Sequence, residues 1–271
     1  MTTTSTFTVP DDGARLHVRR GGVGEALVLV HGSWTDADSW VFVTPALEER
    51  YHVVSYDRRG HTRSERGSAP AGRRRDEDDL AALIADLGAG PVHLVGNSYG
   101  ASIVLGLTAR RPDLLRSVAV HEPPLVALLA GTDDAAEVRA LTESITDELV
   151  HGSVEHGVAR FVEEVALGPG AWALLPEEVR AANVANVDTF LDMLAAPGWD
   201  AIDVEALSRV DVPIVLTDGD QTVPWLRGIS QRLGDAVPSL RRRTLPGVGH
   251  VPHLTHPDVL VDVVDAACPV G

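Results

Sequence analysis

The sequence predicts an α/β protein with an open, mostly parallel sheet. Short β-branched apolar runs recur along the chain and alternate with stretches of helical periodicity. The middle runs are apolar at nearly every position, as are strands that are covered on both faces of a parallel sheet. The chain has 271 residues, of which 44% are hydrophobic and 23% charged. This length and composition are typical of a globular protein with a buried core.

Six strands are predicted, at 26–30, 51–56, 92–95, 117–120, 212–216 and 241–245. Helical spacing of apolar residues predicts helices between them, at 76–88, 99–111 and 224–235. We expect the run of arginines at 73–75, followed by acidic residues at 76–79, to be a solvated loop and the start of a helix.

The alternation of strands and helices stops between residues 125 and 208. This stretch contains no clear strand and predicts helices at 134–150, 153–166 and 176–195. We therefore predict a core formed by residues 1–124 and 209–271, with flanking helices. The helical cap inserted at 125–208 should lie over one edge of the sheet.

The charge of the chain restricts its partners. A formal net charge of −16 repels nucleic-acid phosphates and anionic lipids, so we expect neither nucleic acid nor membrane as a partner. None of the 23 basic residues is lysine, which excludes Schiff-base chemistry and a P-loop lysine. With one cysteine, no intrachain disulfide forms. No signal peptide or spanning segment is recognisable, so we expect a cytoplasmic protein, monomeric or a small homo-oligomer, that acts on a small molecule.

The strongest motif is Gly96-Asn97-Ser98-Tyr99-Gly100, a G-x-S-x-G sequence between a predicted strand and a predicted helix. In this context the serine occupies a strained turn that only small neighbours permit, and its hydroxyl projects above the sheet. We predict that Ser98 is a nucleophile. The N–H of Tyr99, at the start of the helix, is then placed to stabilise an oxyanion.

A second oxyanion donor is expected in the loop after the first long strand, His31-Gly32-Ser33-Trp34. The N–H of Ser33 is the first candidate and that of Trp34 the second. We also predict that Trp34 contacts substrate.

A serine nucleophile requires a base. His250 follows the last predicted strand in a glycine-containing loop, and His253 is the nearest alternative. The base in turn requires an orienting carboxylate. The candidates are Asp218 and Asp220 in the turn after the strand at 212–216, and Glu122 after the strand that follows the serine helix.

These motifs, with the segment 57–64 (DRRGHTRS), resemble the α/β-hydrolase superfamily over nearly the whole chain, in the esterase-like branch with a serine nucleophile. The chain departs from the pattern of that superfamily at Thr62, where a glycine is usual, and at Thr222, where the acid is usual. Some members carry the acid at the end of the preceding strand. This resemblance therefore favours Glu122 as the acid.

The resemblance implies an α/β-hydrolase fold and a serine hydrolase that cleaves a carboxylic ester, lactone or thioester. No metal or organic cofactor is expected. The alternatives are lyase, cyclase or cofactor-free perhydrolase chemistry in the same pocket, and a ligand-binding module with a vestigial triad. We expect most large apolar residues of the cap to pack against the sheet and one or two to touch substrate; the candidates are Phe161, Trp172, Phe190, Met193, Leu194 and Trp199.

Overall fold

The computed structural model describes residues 2–270 and contains an eight-stranded sheet. The strands are β1 (Thr3–Thr8), β2 (Arg15–Gly21), β3 (Glu25–Val30), β4 (Tyr51–Tyr56), β5 (Val92–Asn97), β6 (Leu115–His121), β7 (Ile214–Gly219) and β8 (Arg241–Leu245). Their order across the sheet is β1-β2-β4-β3-β5-β6-β7-β8. Strand β2 is antiparallel to both of its neighbours, and the remaining pairs are parallel. The predicted α/β class with a mostly parallel sheet is therefore confirmed.

The helices cover both faces of the sheet, where two apolar clusters form the core. They are α1 (Thr44–Leu47), α2 (Arg73–Leu87), α3 (Tyr99–Arg110), α4 (Asp133–His151), α5 (Val154–Phe161), α6 (Ala171–Leu174), α7 (Glu177–Ala185), α8 (Val187–Ala195), α9 (Val204–Leu207), α10 (Pro224–Ala236), α11 (Pro252–Thr255) and α12 (Pro257–Ala267). Short 3₁₀ segments occur at Ala37–Trp40, Pro112–Leu114 and Val126–Leu129, and a π-helical turn at Val162–Ala166.

The stretch between β6 and β7 contains helices and no strand among its described residues. The helix predicted at 153–166 is α5 followed by the π-helical turn, and the helix predicted at 176–195 is divided into α7 and α8 at Asn186. That this stretch forms an inserted cap domain stays a prediction.

Three of the four acidic residues at the start of α2 are buried and Asp78 is exposed, so the expectation of a solvated segment is wrong for most of this run. Glu77 and Asp79 are at most 1% exposed. Both carboxylates form ion pairs with arginines, Glu77 with Arg110 at 2.5 Å and Asp79 with Arg59 at 2.7 Å. A buried carboxylate requires such a partner, which explains why arginines and acidic residues are interleaved here.

The strand order creates a crevice at the carboxyl ends of the parallel strands. Strands β4 and β5 lie on opposite sides of β3, so the connections that leave these strands run to opposite sides of the sheet. Open α/β sheets bind ligands at the point where the strand order reverses in this way. The loops after β3, β5, β6, β7 and β8 meet at this edge. Within residues 2–270, no helix is long and apolar enough to span a bilayer.

Candidate active site

Ser98 lies in the sharp turn between β5 and α3. Its φ of +55° is a conformation in which a residue with a side chain is strained. A Cβ at Gly96 would lie 2.7 Å from the carbonyl oxygen of Gly100, and a Cβ at Gly100 would lie 2.2 Å from the carbonyl oxygen of Val30. The backbone packing therefore admits only glycine at both positions, and the strand–turn–helix geometry of a nucleophile elbow is present.

His250, in the loop between β8 and α11, is hydrogen-bonded to Glu122. Its Nδ1 lies 2.7 Å from Oε2 of Glu122, and both side chains are buried. This contact assigns the ring proton to Nδ1, which leaves Nε2 of the neutral imidazole free to accept a proton. His250 and Ser98 line the same two cavities. The structure thus gathers the predicted nucleophile, base and acid at one edge of the sheet, and their catalytic roles stay predictions.

Three donors converge on the Glu122 carboxylate. Besides the ring of His250, the N–H of Gly219 donates to Oε1 at 2.7 Å and the hydroxyl of Thr222 donates to Oε2 at 2.9 Å. Burial raises the pKa of Glu122, but the imidazoles of His121 and His250 and the Gly219 N–H outweigh it, and the pKa lies below its ordinary value. The carboxylate is therefore ionised at neutral pH.

The two alternative acids have partners elsewhere in the turn after β7. Asp220 accepts the backbone N–H of Gly247 at 2.7 Å on the protein surface. Asp218 is buried and forms an ion pair with Arg242 at 2.8 Å. The geometry therefore places Glu122, rather than either aspartate, beside the imidazole.

The alternative base, His253, packs against an aromatic ring. Its ring centroid lies 4.7 Å from that of Trp40, and its side chain is buried. Burial lowers the pKa of His253 to about 3. It lines one of the two cavities, but the contact with Glu122 belongs to His250.

The predicted oxyanion loop, residues 31–34, lies against the nucleophile. A Cβ at Gly32 would be 3.1 Å from Cβ of Ser98, so this backbone approaches the serine closely. Ser33 lines both cavities. Trp34 has a φ of +71° and its buried indole stacks on Phe190, with ring centroids 4.3 Å apart.

Two small cavities of about 50 and 70 Å³ meet at Ser98, Ser33, His250 and Phe161. The first extends under α4, α8 and α10, and the second extends towards α7 and α11. Five of the six apolar candidates from the sequence line the first cavity, namely Phe161, Phe190, Met193, Leu194 and Trp199. Trp172 does not line this cavity, and that one or two of the six touch substrate stays a prediction.

Two positioning side chains were not predicted. Asn97 donates its Nδ2 to the backbone carbonyl of His250 at 2.9 Å, which ties the base loop to β5. Thr222 occupies the usual acid position and donates to Glu122. Asn97 occupies a variable position of the G-x-S-x-G motif, and Thr222 stands out in the sequence only because the usual acid is missing there. Neither residue can therefore be assigned its role from the sequence. Among residues 2–270, no group of three or more His, Cys, Asp or Glu side chains is arranged to hold a metal ion.

The model of the alpha/beta hydrolase family matches residues 27–263. The chain belongs to this family. It is 39% identical over 130 residues to an uncharacterized hydrolase, YraK, of Bacillus subtilis, a segment that covers 47% of each chain. It is 38% identical over 104 residues to the (E)-2-((N-methylformamido)methylene)succinate hydrolase of Acinetobacter baylyi, covering 38% of this chain and 40% of that one. The chain thus aligns with less than half the length of these two relatives.

The fold also matches a solved alpha/beta hydrolase from Sphaerobacter thermophilus, with a TM-score of 0.72 and 26% identity, over 96% of this chain and 99% of the other. The family and the relatives named as hydrolases together support a hydrolase in general.

Proposed function

We propose that the chain is a serine hydrolase that cleaves a carboxylic ester, lactone or thioester of a small molecule through an acyl-enzyme on Ser98. The observation that carries this proposal is the contact between His250 Nδ1 and Glu122 Oε2, beside a serine in a strained elbow. The Glu122 carboxylate holds the imidazole in the tautomer that accepts a proton at Nε2.

In the first half of the reaction, Oγ of Ser98 bonds to the substrate carbonyl carbon and its proton passes to Nε2 of His250. The N–H groups of Ser33 and Tyr99 stabilise the oxyanion. The bond to the alcohol or thiol then breaks, and the leaving group takes the proton from His250. In the second half, His250 removes a proton from water, and the water oxygen bonds to the acyl carbon. The bond to Oγ of Ser98 then breaks, Oγ takes the proton back from His250, and the acid is released.

The lining of the two cavities favours uncharged substrates. Within the described part of the chain, residues 2–270, no arginine, aspartate or glutamate lines either cavity, and most of the lining side chains are apolar. A substrate carboxylate buried there would lose its hydration without gaining a cationic partner, at a cost of several kcal/mol. The Acinetobacter relative is named for a succinate substrate. We infer that this chain takes a different, uncharged substrate.

A matched pair of esters tests this proposal. We expect p-nitrophenyl butyrate to be hydrolysed with a kcat/KM at least ~10²-fold above that of p-nitrophenyl hemisuccinate, since ~3 kcal/mol corresponds to about this factor. An acyl adduct on Ser98 should accumulate early and be absent from Ser98→Ala. Equal rates for the two esters would contradict the inference on charge. A labelled Ser98 with no turnover of esters, lactones or thioesters would instead favour lyase, cyclase or perhydrolase chemistry. A protein with no reactive serine would favour a binding module.

A further inference from the structure

The backbone carbonyls of the oxyanion loop are held by two buried side chains that the mechanism above does not use. Arg58, which follows β4, donates from Nε to the carbonyl of His31 at 3.2 Å and from Nη2 to that of Gly32 at 2.9 Å. Asn186, between α7 and α8, donates from Nδ2 to the carbonyl of Trp34 at 2.8 Å. Three carbonyls of this four-residue loop therefore have side-chain donors.

The contact at Gly32 determines where the N–H of Ser33 points. These two groups belong to one planar peptide, in which the C=O and the N–H point in opposite directions. The Gly32 carbonyl also accepts from Nδ1 of His31 at 2.9 Å. Burial lowers the pKa of His31 well below its ordinary value, so the ring is neutral, and the backbone N–H of Arg58 donates to its Nε2. Both lone pairs of the carbonyl are thus engaged, which fixes the peptide plane.

The contact at Trp34 holds a strained residue. The φ of +71° at Trp34 is unusual for a residue with a side chain and persists only where surrounding contacts impose it. Asn186 also accepts the backbone N–H of Thr62, another residue with positive φ, at 2.8 Å. The Asn186 side chain is 1% exposed and thereby joins the helical segment after β6 to both loops of the core.

We propose that Arg58 and Asn186 are positioning residues for the oxyanion hole, so that the helical segment carrying Asn186 contributes to the chemical step as well as to the walls of the cavities. This inference rests on the proposed serine hydrolase function. It predicts that removing either side chain weakens binding of the oxyanion more than binding of the substrate.

A second contact of the same segment supplies the control. Arg66 forms an ion pair with Asp188 of α8 at 3.3 Å, on the surface. This pair also connects α8 to the core, but it lies outside the oxyanion loop. Arg66 also pairs with Asp192 of the same helix, so Asp188→Asn weakens this surface attachment without changing the contacts at residues 31–34.

The test compares Asn186→Leu, Arg58→Met and Asp188→Asn with the wild type, all full-length. Active molecules are counted by fluorophosphonate labelling carried to its end point, because a weakened oxyanion hole slows the labelling reaction. A loss of folded protein is then not counted as a loss of rate. For Asn186→Leu and Arg58→Met we expect kcat per labelled site to fall by ~10–10²-fold, with KM within about threefold. Inhibition by a trifluoromethyl ketone, which forms an oxyanion on the serine, should weaken by the same factor. Asp188→Asn should match the wild type within about twofold.

Unchanged kcat and ketone affinity in both variants would overturn the inference while leaving the proposed function intact. A rise in KM alone would also overturn it. If Asn186→Leu does not fold, Asn186→Ala, which leaves room for a water molecule, replaces it with the same expected loss. A wild type that neither reacts with fluorophosphonate nor cleaves any ester would remove the proposed function itself.

Discussion

Replacing Glu122 by glutamine tests the assignment of the acid without changing its volume. Three donors converge on this side chain, from His250, Gly219 and Thr222. An amide offers one oxygen and one NH₂ group, so it cannot accept from all three. If the oxygen stays on Gly219, the NH₂ group faces Nδ1 of His250.

The imidazole then accepts at Nδ1 and carries its proton on Nε2, which prevents it from accepting the proton of Ser98. The equivalent change of tautomer in a Ser-His-Asp enzyme lowers kcat by about 10⁴-fold. We expect a loss of ~10³–10⁴-fold for Glu122→Gln, corresponding to about 4–5.5 kcal/mol of transition-state stabilisation. The opposite orientation of the amide relieves the imidazole but faces the NH₂ group to the Gly219 N–H, at a cost of about 1–3 kcal/mol.

The assay is the initial rate of p-nitrophenyl butyrate hydrolysis at equal concentrations of folded protein. Asp220→Asn is the matched control, because Asp220 is exposed and bonded to Gly247. It should stay within about threefold of the wild type. A Glu122→Gln variant that retains more than a tenth of the wild-type kcat, or a larger loss in Asp220→Asn, would refute the assignment.

The same variant has a defined pH dependence of stability. Because the pKa of Glu122 in the folded protein lies below its ordinary value of 4.5, the carboxylate stabilises the fold above that pH and ceases to do so as the pH falls through the folded pKa. The difference in Tm between the wild type and Glu122→Gln should therefore be largest near neutral pH and shrink in acid. A difference that grows in acid would contradict the lowered pKa.

Three further changes have expected outcomes. Thr222→Val should lower kcat/KM about tenfold, because the hydroxyl that donates to the Glu122 carboxylate is lost. Thr222→Ser keeps this hydroxyl and should keep the wild-type kcat/KM. Equal losses of kcat/KM in the two variants would contradict this. Gly100→Ala should lower Tm severely, because its Cβ would overlap the carbonyl oxygen of Val30. Gly32→Ala, whose Cβ meets the Ser98 side chain at 3.1 Å, should fold but hydrolyse the substrate more slowly. A lower Tm for Gly32→Ala than for Gly100→Ala would refute this packing argument. Asp12→Asn should lower Tm by ~3 °C at pH 7 and by progressively less as the pH falls below 3.8, because hydrogen bonding to Arg59 holds the pKa of Asp12 below this ordinary value. A Tm difference that is independent of pH would contradict this.

The apolar runs of the sequence located β3 to β7, the sequence also predicted β8 although it begins with three arginines, and the structure adds two strands. In β1 a single residue, Phe7, is buried, and β2 carries three arginines, so neither resembles a buried strand in sequence. The sequence likewise predicts one continuous helix where the structure has α7 and α8. The division at Asn186 is visible only in three dimensions, because that side chain bonds to Trp34 and Thr62.

Some residues of the candidate site can also be predicted from the sequence, and others only from the structure. Ser98 and His250 lie in glycine-containing motifs, and glycines are needed where the backbone packs closely or turns sharply, so the sequence indicates both residues. Choosing Glu122 over two aspartates needed a resemblance to known proteins, since only the fold shows which carboxylate meets the imidazole. The contacts of Arg58 and Asn186 with the oxyanion loop are made to backbone carbonyls, which every residue has, and so leave no pattern in sequence.

The most direct test of the proposed mechanism is the intact mass of the wild type and of Ser98→Ala after treatment with a fluorophosphonate at neutral pH. A single adduct on the wild type that is absent from Ser98→Ala is the expected result, because Ser98 is then activated beside an assembled oxyanion hole. An unlabelled wild type, or an adduct that persists in Ser98→Ala, would contradict the assignment of Ser98 as the nucleophile.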